Sequence, residues 1–457
     1  MTSITIHGGA NEIGGNKILL ETAKAKLWFD FGLSFNMLNR YYSEFLNPRK
    51  INGIGDHIEM GILPWIKGLY RNDYVAEADL EKSECLFDGV FLSHPHVDHF
   101  GNMNLLHKDM PFFMGECAKT FVQAYQDTSN MQSGFTDYRE AFTGLNHTKN
   151  PKADRPIKTF RSGQCINVKD VKVHPIHVDH SVPGAYGFIA ECPDSNIVYT
   201  GDIRLHGPKG HMTKEFAAKA KSFDPDILLV EGTRMDGKMN MTEEQVLESI
   251  KGFISNTKGL VVGNFPARDI DRFMTFYNAA LSNGRKLLID LKQAYLLEKL
   301  EDDPIKTPKL NDKDLIVYYR KKLKYDIWER ELIDRCRNLV EAKDIDQQRS
   351  VMYCNSFGVG ELIDVKPVKH SSYVYSMCSP FNEEMEIDHK RLKNWVRHFK
   401  LKYYTAHASG HASPEELKWV VNEINAKKVI PIHTTKAKRF SKMFGNVEIL
   451  KNGGMIK

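Results

Sequence analysis

Apolar and polar positions alternate in short blocks along the first part of the chain. Up to about residue 205, apolar runs of strand length are separated by turn residues, and one more such run precedes residue 235. Runs of this length between glycine, proline and polar clusters are typical of β-strands. The predicted strands are residues 3–9, 16–22, 26–32, 86–94, 171–178, 186–192, 196–202 and 225–233, whereas residues 35–85 are irregular and rich in aromatic residues.

The pattern changes after about residue 235. Residues 242–256 repeat apolar positions with helical period and carry acidic residues in the first turn, where they favour a helix. Strands and helices then alternate, as in a parallel α/β unit. The predicted order is strand 259–265, helix 267–284, strand 285–291, helix 292–300, strand 373–380, helix 388–399, strand and loop 401–413, helix 414–425 and strand 427–433.

Length and composition limit the class of protein. A chain of 457 residues exceeds what one hydrophobic core usually fills, which predicts two domains or one domain with a large insertion. The net charge of +5 is compatible with a polyanionic substrate but is too small to argue for one. We expect no membrane association, because no apolar run reaches spanning length. The 7 cysteines are scattered without a CxxC pair, which favours free thiols and a cytoplasmic location.

Residues 93–102, SHPHVDHFGN, carry the first candidate chemistry. The histidines begin where a predicted apolar strand ends. On an extended backbone His94 and His96 point to the same side, because side-chain direction has a period of two. These two imidazoles can therefore bind one metal ion.

Asp98 and His99 follow at the expected start of a helix that continues through residues 101–107, where they face a second ion. Neutral imidazole and carboxylate together suit zinc, and manganese or iron less selectively. The alternative, exposed polar residues in a loop, explains four metal-capable side chains in six positions poorly. Further downstream His174, His177 and His180 occur at equal spacing, and periodicity does not choose among them.

The segment HPHVDH at 94–99 resembles the signature of the metallo-β-lactamase superfamily. The resemblance implies an α/β fold, a four-layer αββα sandwich with the metal site at the sheet edges. FDFG at 29–32 looks like the first motif of that superfamily, and it implies an orienting role for Asp30. YTGD at 199–202 is similar to its later aspartate motif, which implies that Asp202 bridges two metals.

Five more segments narrow the resemblance to the β-CASP family and, within it, to RNase J. HSVP resembles the HSIP of RNase J, which selects His180 as a ligand and leaves His174 and His177 in structural roles. The start, GGANEIGGN, is similar to the opening of RNase J. LLVEGTR resembles the acidic motif that opens the β-CASP insertion, whereas ASGHAS and VIPIH resemble the second and third β-CASP motifs; these three supply Glu231, His411 and His433.

The resemblance implies a domain organisation and a metal site. Residues 1–235 and 401–457 would form the metallo-β-lactamase domain, and residues 236–400 the inserted α/β β-CASP domain. Two divalent ions are implied, Zn²⁺ or alternatively Mn²⁺. The implied ligands are His94, His96 and His180 for one ion, Asp98, His99 and His433 for the other, and Asp202 between them. Catalytic roles are implied for Asp98, Asp202, Glu231 and His411, with His411 protonating the leaving oxygen and Glu231 orienting that imidazole.

A histidine at position 433 also bears on the substrate. RNA-cleaving β-CASP relatives have histidine there, whereas the DNA-repair branch typically has valine, so we expect a metal-dependent ribonuclease acting 5′ to 3′, endonucleolytically or both. The expected partner is single-stranded RNA with a 5′ end, and a homodimer is compatible with the resemblance. Candidate substrate contacts are Ser409, Gly410, His411, Ser413, Arg234 and Arg268, with Arg272, Lys436, Lys438 and Arg439 as further basic residues. For Ser413 the alternative is a turn before a helix at Pro414.

Two other functions compete with a ribonuclease. One is a metallo-hydrolase of another class, either a DNA nuclease or an enzyme acting on a small ester or lactam; small-molecule hydrolases lack the β-CASP insertion. The other is a non-catalytic RNA-binding scaffold, although decayed relatives usually lose ligands and all 7 candidate ligands are present here. The chain departs from RNase J after the third motif, where it reads HTTKAKRF.

Overall fold

The structure, a computed structural model, describes residues 1–43, 45–129, 134–140, 152–235, 237, 241–380 and 383–457. The strands among these residues are β1 Ser3–Gly8, β2 Lys17–Glu21, β3 Lys26–Phe31, β4 Gly89–Leu92, β5 Phe112–Gly115, β6 Asp137–Tyr138, β7 Ala153–Asp154, β8 Ile157–Phe160, β9 Ile166–Val168, β10 Val171–His177, β11 Tyr186–Glu191, β12 Asn196–Tyr199, β13 Ile227–Glu231, β14 Val261–Asn264, β15 Lys286–Ile289, β16 Leu315–Tyr318, β17 Leu339–Val340, β18 Ser350–Tyr353, β19 Ser372–Tyr375, β20 Lys402–Thr405, β21 Lys428–Ile432 and β22 Gly454–Ile456. The helices are α1 Phe35–Asn39, α2 Gly55–Glu59, α3 Asn72–Glu77, α4 Val97–Phe100, α5 Glu116–Thr128, α6 Gly210–Lys221, α7 Glu243–Ser255, α8 Ile270–Ser282, α9 Leu291–Lys299, α10 Ile327–Arg335, α11 Leu362–Val365, α12 Glu383–His398, α13 Pro414–Ile424 and α14 Ala437–Met443.

Two mixed sheets make up the centre of the sandwich. The first has the order β22-β1-β2-β3-β4-β5-β8, and the second has the order β21-β13-β12-β11-β10-β9. In the first sheet the strands from β22 to β3 are antiparallel and those from β3 to β8 are parallel. In the second, β21, β13 and β12 are parallel and the rest antiparallel. Each sheet therefore takes one edge strand, β22 or β21, from the C-terminal part of the chain.

The two sheets pack face to face through an aromatic core. Phe29 and Phe91 of the first sheet meet Phe188 of the second, with ring centroids 5.5 and 5.8 Å apart. Helices and loops cover the outer faces, with Phe100 and Val122 against the first sheet and residues of α6, α13 and α14 against the second. Burying a large apolar side chain contributes about 1.5–3 kcal/mol. The expected four-layer αββα sandwich is confirmed.

The third sheet is parallel throughout, in the order β17-β16-β15-β18-β14-β19-β20. Its strands are buried on both faces: Val261 faces one core with α7, α8 and α9, and Val262 faces the other with α11 and α12. That is the period-two alternation of a sheet covered by helices on both sides. The chain enters this unit after β13 and leaves it before β21, so it is an insertion into the second sheet. The exact boundaries, 236 and 400, stay a prediction.

Local differences from the predicted elements have physical causes. The helix expected to run from Asp98 through residue 107 ends after one turn, at Phe100, and a 3₁₀ turn follows at Met103–Leu105. Asn102 does not continue the helix, because its backbone N–H donates to the carbonyl of Phe31 and its side chain donates to the carbonyl of Gly32.

Two longer helices, α5 and α6, were not predicted. The buried face of α6 consists of small or weakly apolar residues apart from Phe216, so its helical period is faint in the sequence. All 7 cysteines are free. Among the described residues no helix is long and apolar enough to cross a membrane.

Candidate metal centre

The end of β3 fixes the orientation of one imidazole. Asp30 lies in the left-handed region at φ 57°, which an aspartate tolerates better than most residues, and its side chain is fully buried. It accepts hydrogen bonds from the backbone N–H of Ser93 at 2.7 Å, the hydroxyl of Tyr199 at 2.5 Å and Nδ1 of His99 at 2.8 Å. Because Nδ1 of His99 donates to Asp30, its Nε2 is the nitrogen left free to act as a ligand.

A first group of possible ligands consists of His94, His96, His180 and Asp202, whose ligand atoms all lie within 4.8 Å of one another. Nδ1 of His96 is 3.1 Å from Nε2 of His94 and 3.0 Å from Nε2 of His180. His180 is held from the other side, because its Nδ1 donates to the carbonyl of Gly410 at 2.6 Å. Residues from three separate parts of the chain therefore converge on one point.

A second group consists of Asp98, His99 and His433. Oδ2 of Asp98 lies 3.1 Å from Nε2 of His433 and 3.9 Å from Nε2 of His99. Asp202 joins the two groups, since its Oδ2 is 3.5 Å from Nε2 of His94, 3.3 Å from Nε2 of His99 and 3.6 Å from Nε2 of His433. The geometry brings all seven predicted ligands together, with Asp202 in the middle.

The glycine-rich loop between β1 and β2 supports the second group. The backbone N–H of Gly15 donates to the carbonyl of Asp98 at 3.0 Å, and that of His433 donates to the carbonyl of Gly9 at 2.7 Å. Gly14 has φ +78°, and a Cβ there would lie 2.6 Å from Oδ2 of Asp98. Only glycine allows this approach, so the loop packs directly against a candidate ligand.

Burial keeps three of the imidazoles neutral. It lowers the pKa of His94 and of His180 well below the ordinary value, and with the charge of nearby groups it leaves the pKa of His96 at about 4. His99 behaves differently: burial lowers its pKa, but the carboxylates of Asp202, Asp30 and Asp98 together raise it well above the ordinary value. Neutral imidazoles opposite an ionised carboxylate are the donors that a divalent transition metal requires.

Two further observations show that the residues fit metal ions. Nε2 of His99 and Oδ1 of Asp202 are buried without a hydrogen-bond partner among the described residues, and leaving a buried polar atom unsatisfied costs about 1–3 kcal/mol. In addition, zinc–nitrogen bonds of about 2.0–2.1 Å place neighbouring tetrahedral ligand atoms about 3.3 Å apart. The separations of 3.1 Å between His94 and His96 and 3.0 Å between His96 and His180 are close to that value.

His411 borders the cluster and is paired with Glu231. Its Nδ1 is 3.2 Å from Oε1 of Glu231 and 3.8 Å from Oδ2 of Asp202. Glu231, at the end of β13, is fixed by the backbone N–H groups of Ile203 and Thr233. Burial lowers the pKa of His411, but the two carboxylates outweigh it and raise the pKa to about 9. Glu231 thus holds the His411 ring next to the candidate ligands and favours its charged form.

Comparisons with known proteins agree with this geometry. Residues 80–258, which contain the HxHxDH segment, Asp202 and Glu231, match the family described as the beta-lactamase superfamily domain. This part of the chain therefore carries a beta-lactamase superfamily domain. Residues 396–446, with His411 and His433, match the family described as the Zn-dependent metallo-hydrolase RNA specificity domain.

Several curated proteins similar to this chain are ribonucleases J. The chain is 22% identical over 446 residues to ribonuclease J of Mycoplasma genitalium, covering 94% of this chain and 68% of that protein. It is 21% identical over 476 residues to ribonuclease J 2 of Streptococcus pyogenes serotype M3, covering 98% and 74%. A crystal structure of a protein of unknown function from Enterococcus faecalis V583 has a TM-score of 0.75 at 22% identity and covers 100% of this chain and 99% of its own, which supports the fold.

The structure separates the three equally spaced histidines. His174 pairs with Glu191, with Nε2 and Oε1 2.6 Å apart, and the ring of His177 packs against Tyr186 at 4.4 Å. Neither belongs to a ligand group, whereas His180 does. The difference arises because β10 ends at His177, and the turn that follows carries His180 over the sheet edge.

Several polar groups of the loop after β20 form hydrogen bonds within the protein. Oγ of Ser413 accepts from the backbone N–H of Glu416, whose carboxylate accepts from the N–H of Ser413, so Ser413 is the N-cap of α13 in a capping box. Oγ of Ser409 accepts from the N–H of His411, and the carbonyl of Gly410 accepts from His180. The turn alternative is therefore the role that the structure gives to Ser413.

The predicted basic contacts fall into three places. Arg268 lies beside the loop of residues 93–96, which we call the metal loop. It donates to the carbonyl of Pro95 at 3.2 Å, and its guanidinium is 4.7 Å from the ring of Tyr125. Arg234 follows β13, three residues after Glu231. Lys436, Lys438 and Arg439 are exposed around α14. The prediction that Arg272 contacts the substrate is wrong, because its side chain is fully buried in an ion-pair network.

That network is the part of the site that sequence reasoning missed. We call Arg204 and Arg272 the arginine pair; both are fully buried and share the carboxylate of Glu243, at 3.1 and 2.9 Å. Arg204 also binds Asp179, the neighbour of His180, and Asp271 in α8. The arginine pair thus ties two ligand-bearing segments of the metallo-β-lactamase sandwich to α7 and α8 of the inserted unit.

Proposed function

We propose that this chain is a metal-dependent ribonuclease that hydrolyses phosphodiester bonds of RNA. The observation that carries the proposal is the meeting of two segments. Within the part that matches an RNA specificity domain, His433 contacts Asp98 of the HxHxDH segment, 335 residues earlier, and His411 contacts Asp202. The names of the two curated relatives given above, ribonuclease J and ribonuclease J 2, support the same reaction.

We propose further that two divalent ions, Zn²⁺ or Mn²⁺, would be held by the two ligand groups, with Asp202 among the residues that would hold them. When bound, such ions acidify water and neutralise negative charge on a scissile phosphate. The protein's own contribution is the arrangement of ligands before metal binding. Asp30 holds His99 in one tautomer, Gly410 does the same for His180, and Gly14 makes room for Asp98.

His411 is proposed to protonate the leaving oxygen. A general acid must be protonated and within reach of the reacting group, and His411 borders the cluster with its proton stabilised by Glu231. Glu231 would act through His411 by holding its ring, without touching the substrate. Asp98 and Asp202 would act as ligands.

For the substrate we propose single-stranded RNA with a 5′ end, cleaved 5′ to 3′, internally or both. Residues 236–400 would form a β-CASP domain that faces the metal centre across a cleft, with residues 1–235 and 401–457 on the other side. Arg268 and Arg234 would border this cleft. A cytoplasmic location and a homodimer remain predictions from the sequence.

The test is turnover of three substrates by the purified protein with Zn²⁺ or Mn²⁺. We expect cleavage of 5′-monophosphorylated RNA, much slower cleavage of single-stranded DNA of the same sequence, and none of a chromogenic lactam. End-labelled RNA distinguishes mononucleotides from internal fragments. Turnover of the lactam alone would overturn the proposal, and binding of RNA without cleavage under any metal condition would favour a scaffold.

A second measurement addresses His411. We expect His411→Ala to reduce kcat far more than it weakens RNA binding, because a general acid acts in the transition state. Glu231→Gln should give a smaller loss of kcat, since the imidazole remains but loses a charged partner. Loss confined to affinity would make His411 a phosphate anchor.

A further inference from the structure

A cavity of about 260 Å³ lies at the carboxyl ends of β15, β16 and β18, outside the metal centre. Its lining includes the aromatic residues Tyr318, Trp328, Tyr353 and Phe357, with Asp290 at the base and Arg320 at the rim. In the third sheet the chain runs from β14 to β15, β16 and β17 on one side and returns through β18 to β19 and β20 on the other. Ligands of open parallel sheets bind at the carboxyl edge near such a reversal of strand order.

The cavity and the metal centre share one edge of the molecule. Beyond the carboxyl end of β14, Arg268 reaches the carbonyl of Pro95 in the metal loop. The end of β14 also contacts the cavity loop, because Nδ2 of Asn264 donates to Oγ of Ser356 at 3.1 Å. Neighbouring strands are about 4.8 Å apart, so β15 lies about 10 Å from β14 along this edge. A strand of nucleic acid that leaves the metal centre over β14 therefore reaches the cavity next.

The aromatic side chains of the cavity suit a flat ligand. Phe357 is 99% exposed at the rim, an unusual position for a large apolar side chain. Trp328 is half-buried at the start of α10, where it contacts Tyr295. The polar ends of the two tyrosines are already engaged, since Tyr318 donates to Glu361 at 2.6 Å and the hydroxyl of Tyr353 accepts from Asn355 at 3.2 Å. Their rings remain available as apolar walls.

A basic segment follows β16 directly beside these rings. Residues 318–325 read YYRKKLKY, in which Arg320, Lys321 and Lys324 are exposed. The acidic groups of the lining are partly neutralised: Glu329 accepts from Lys322 at 2.6 Å, and Glu361 accepts from Tyr318 and lies 4.0 Å from Arg320. Lys292 is exposed on the opposite rim. Interleaved cations and aromatic rings are the combination that binds single-stranded nucleic acid without reading its sequence.

We propose that this cavity is a remote RNA subsite, in which a base of the substrate strand stacks on Phe357 and Trp328 while its phosphates contact Arg320, Lys324 and Lys292. The inference rests on the proposed ribonuclease function and extends it to nucleotides beyond the scissile bond. The subsite would hold long substrates and leave very short ones unaffected.

The test compares RNA oligonucleotides of two lengths, three and fifteen nucleotides, in the presence of chelator so that binding is measured without cleavage. For Phe357→Ala, and separately for Arg320→Ala with Lys324→Ala, we expect about fivefold or greater loss of affinity for the long RNA and no change for the short one. Both changes are at exposed positions, so the fold should be retained. Trp419→Ala, at a partly exposed aromatic residue on α13, is the matched control and should bind both RNAs like the wild type.

Photocrosslinking gives an independent readout. A long RNA carrying one 4-thiouridine at successive positions should crosslink to peptides containing Trp328 or Phe357 from interior positions only. Equal loss of affinity for both lengths, unchanged affinity for both, or crosslinks elsewhere would overturn the proposal. So would adenosine monophosphate that occupies the cavity without competing with RNA, since the cavity would then be an effector site. None of these outcomes depends on cleavage, so they are separate from the test of the ribonuclease function.

Discussion

Two clusters of buried charge lie side by side in this molecule and differ in how completely their polar atoms are satisfied. In the metal centre, Nε2 of His99 and Oδ1 of Asp202 have no hydrogen-bond partner in the part of the chain that the structure describes. In the arginine pair, Nε and both terminal nitrogens of each guanidinium donate to a carboxylate, hydroxyl or carbonyl oxygen. The first cluster requires a bound species to be complete, whereas the second is complete in the folded chain.

This difference distinguishes a buried charged cluster that serves function from one that serves structure. An incomplete cluster is maintained because its ligand supplies the missing interactions, so its removal should affect activity more than folding. A complete cluster holds elements together, so its loss should affect folding first. Arg204 and Arg272 also donate to the carbonyls of Ser409 and Ala408, which precede His411.

The largest effect is expected from the metal centre. Asp98→Ala combined with His99→Ala removes two of three ligands of the second group, so RNA cleavage should fall to background while the circular dichroism spectrum stays that of the wild type. Cleavage is measured on labelled RNA at saturating metal. As a control, His174→Ala removes a histidine outside both ligand groups and should retain activity. Wild-type cleavage by the double variant would remove the site assignment.

For the arginine pair we expect substitution to reduce the stability of the fold first, unlike substitution in the metal centre. Arg204→Met leaves the carboxylates of Asp179, Glu243 and Asp271 without their common cation, so the free energy of unfolding should fall by about 3–5 kcal/mol. Denaturant unfolding of the metal-free protein measures this. The matched control is Arg391→Met, in an exposed pair with Asp388, which should change stability by no more than about 0.5 kcal/mol. Similar small losses in both variants would mean that the network is not structural.

Metal removal is expected to have an intermediate effect on stability. At a metal concentration 100-fold above the dissociation constant, binding to the native state stabilises the protein by about 2.7 kcal/mol. Thermal unfolding with and without chelator should show this difference in the wild type and a smaller one in the Asp98→Ala, His99→Ala protein. A chelator effect of equal size in both proteins would place the metal elsewhere.

The smallest effect concerns the cap of α13. Ser413→Ala should lower the free energy of unfolding by about 1 kcal/mol, because the backbone N–H of Glu416 loses its acceptor. Ser413→Asp keeps a capping oxygen and should retain most of that stability. If Ser413→Ala has wild-type stability but binds RNA less tightly, the residue contacts phosphate instead.

The metal centre was more predictable from the sequence than the network beside it. His94, His96, Asp98 and His99 are adjacent in the chain, so their spacing alone indicates a metal site. His180 was chosen over His174 and His177 only through a resemblance, and the structure groups it with the cluster because β10 ends before it.

The eight strands predicted up to residue 233 match β1–β4 and β10–β13 to within about three residues, since each is an apolar run between turns. Other strands, including β5, β8, β16 and β18, were not predicted. The arginine pair could not be found in this way. An arginine in a helix or loop is usually exposed, and only the meeting of the inserted unit with the sandwich buries Arg204 and Arg272. The helix α6 was missed for a related reason. Apart from Phe216, its buried face consists of glycine, threonine and alanine, so the sequence shows little helical period in hydrophobicity.

The position of His433 has a consequence for how the protein is made. Asp98 and His433 are 335 residues apart, and β21 must pair with β13 before His433 can reach Gly9. A ribosome adds about 5–20 residues per second, so the nascent chain spends tens of seconds with the N-terminal ligands synthesised and the second group incomplete. If the proposed function holds, hydrolysis of nearby RNA, including the message being translated, would have to wait until His433 has been synthesised. The long separation would then delay activation of the enzyme.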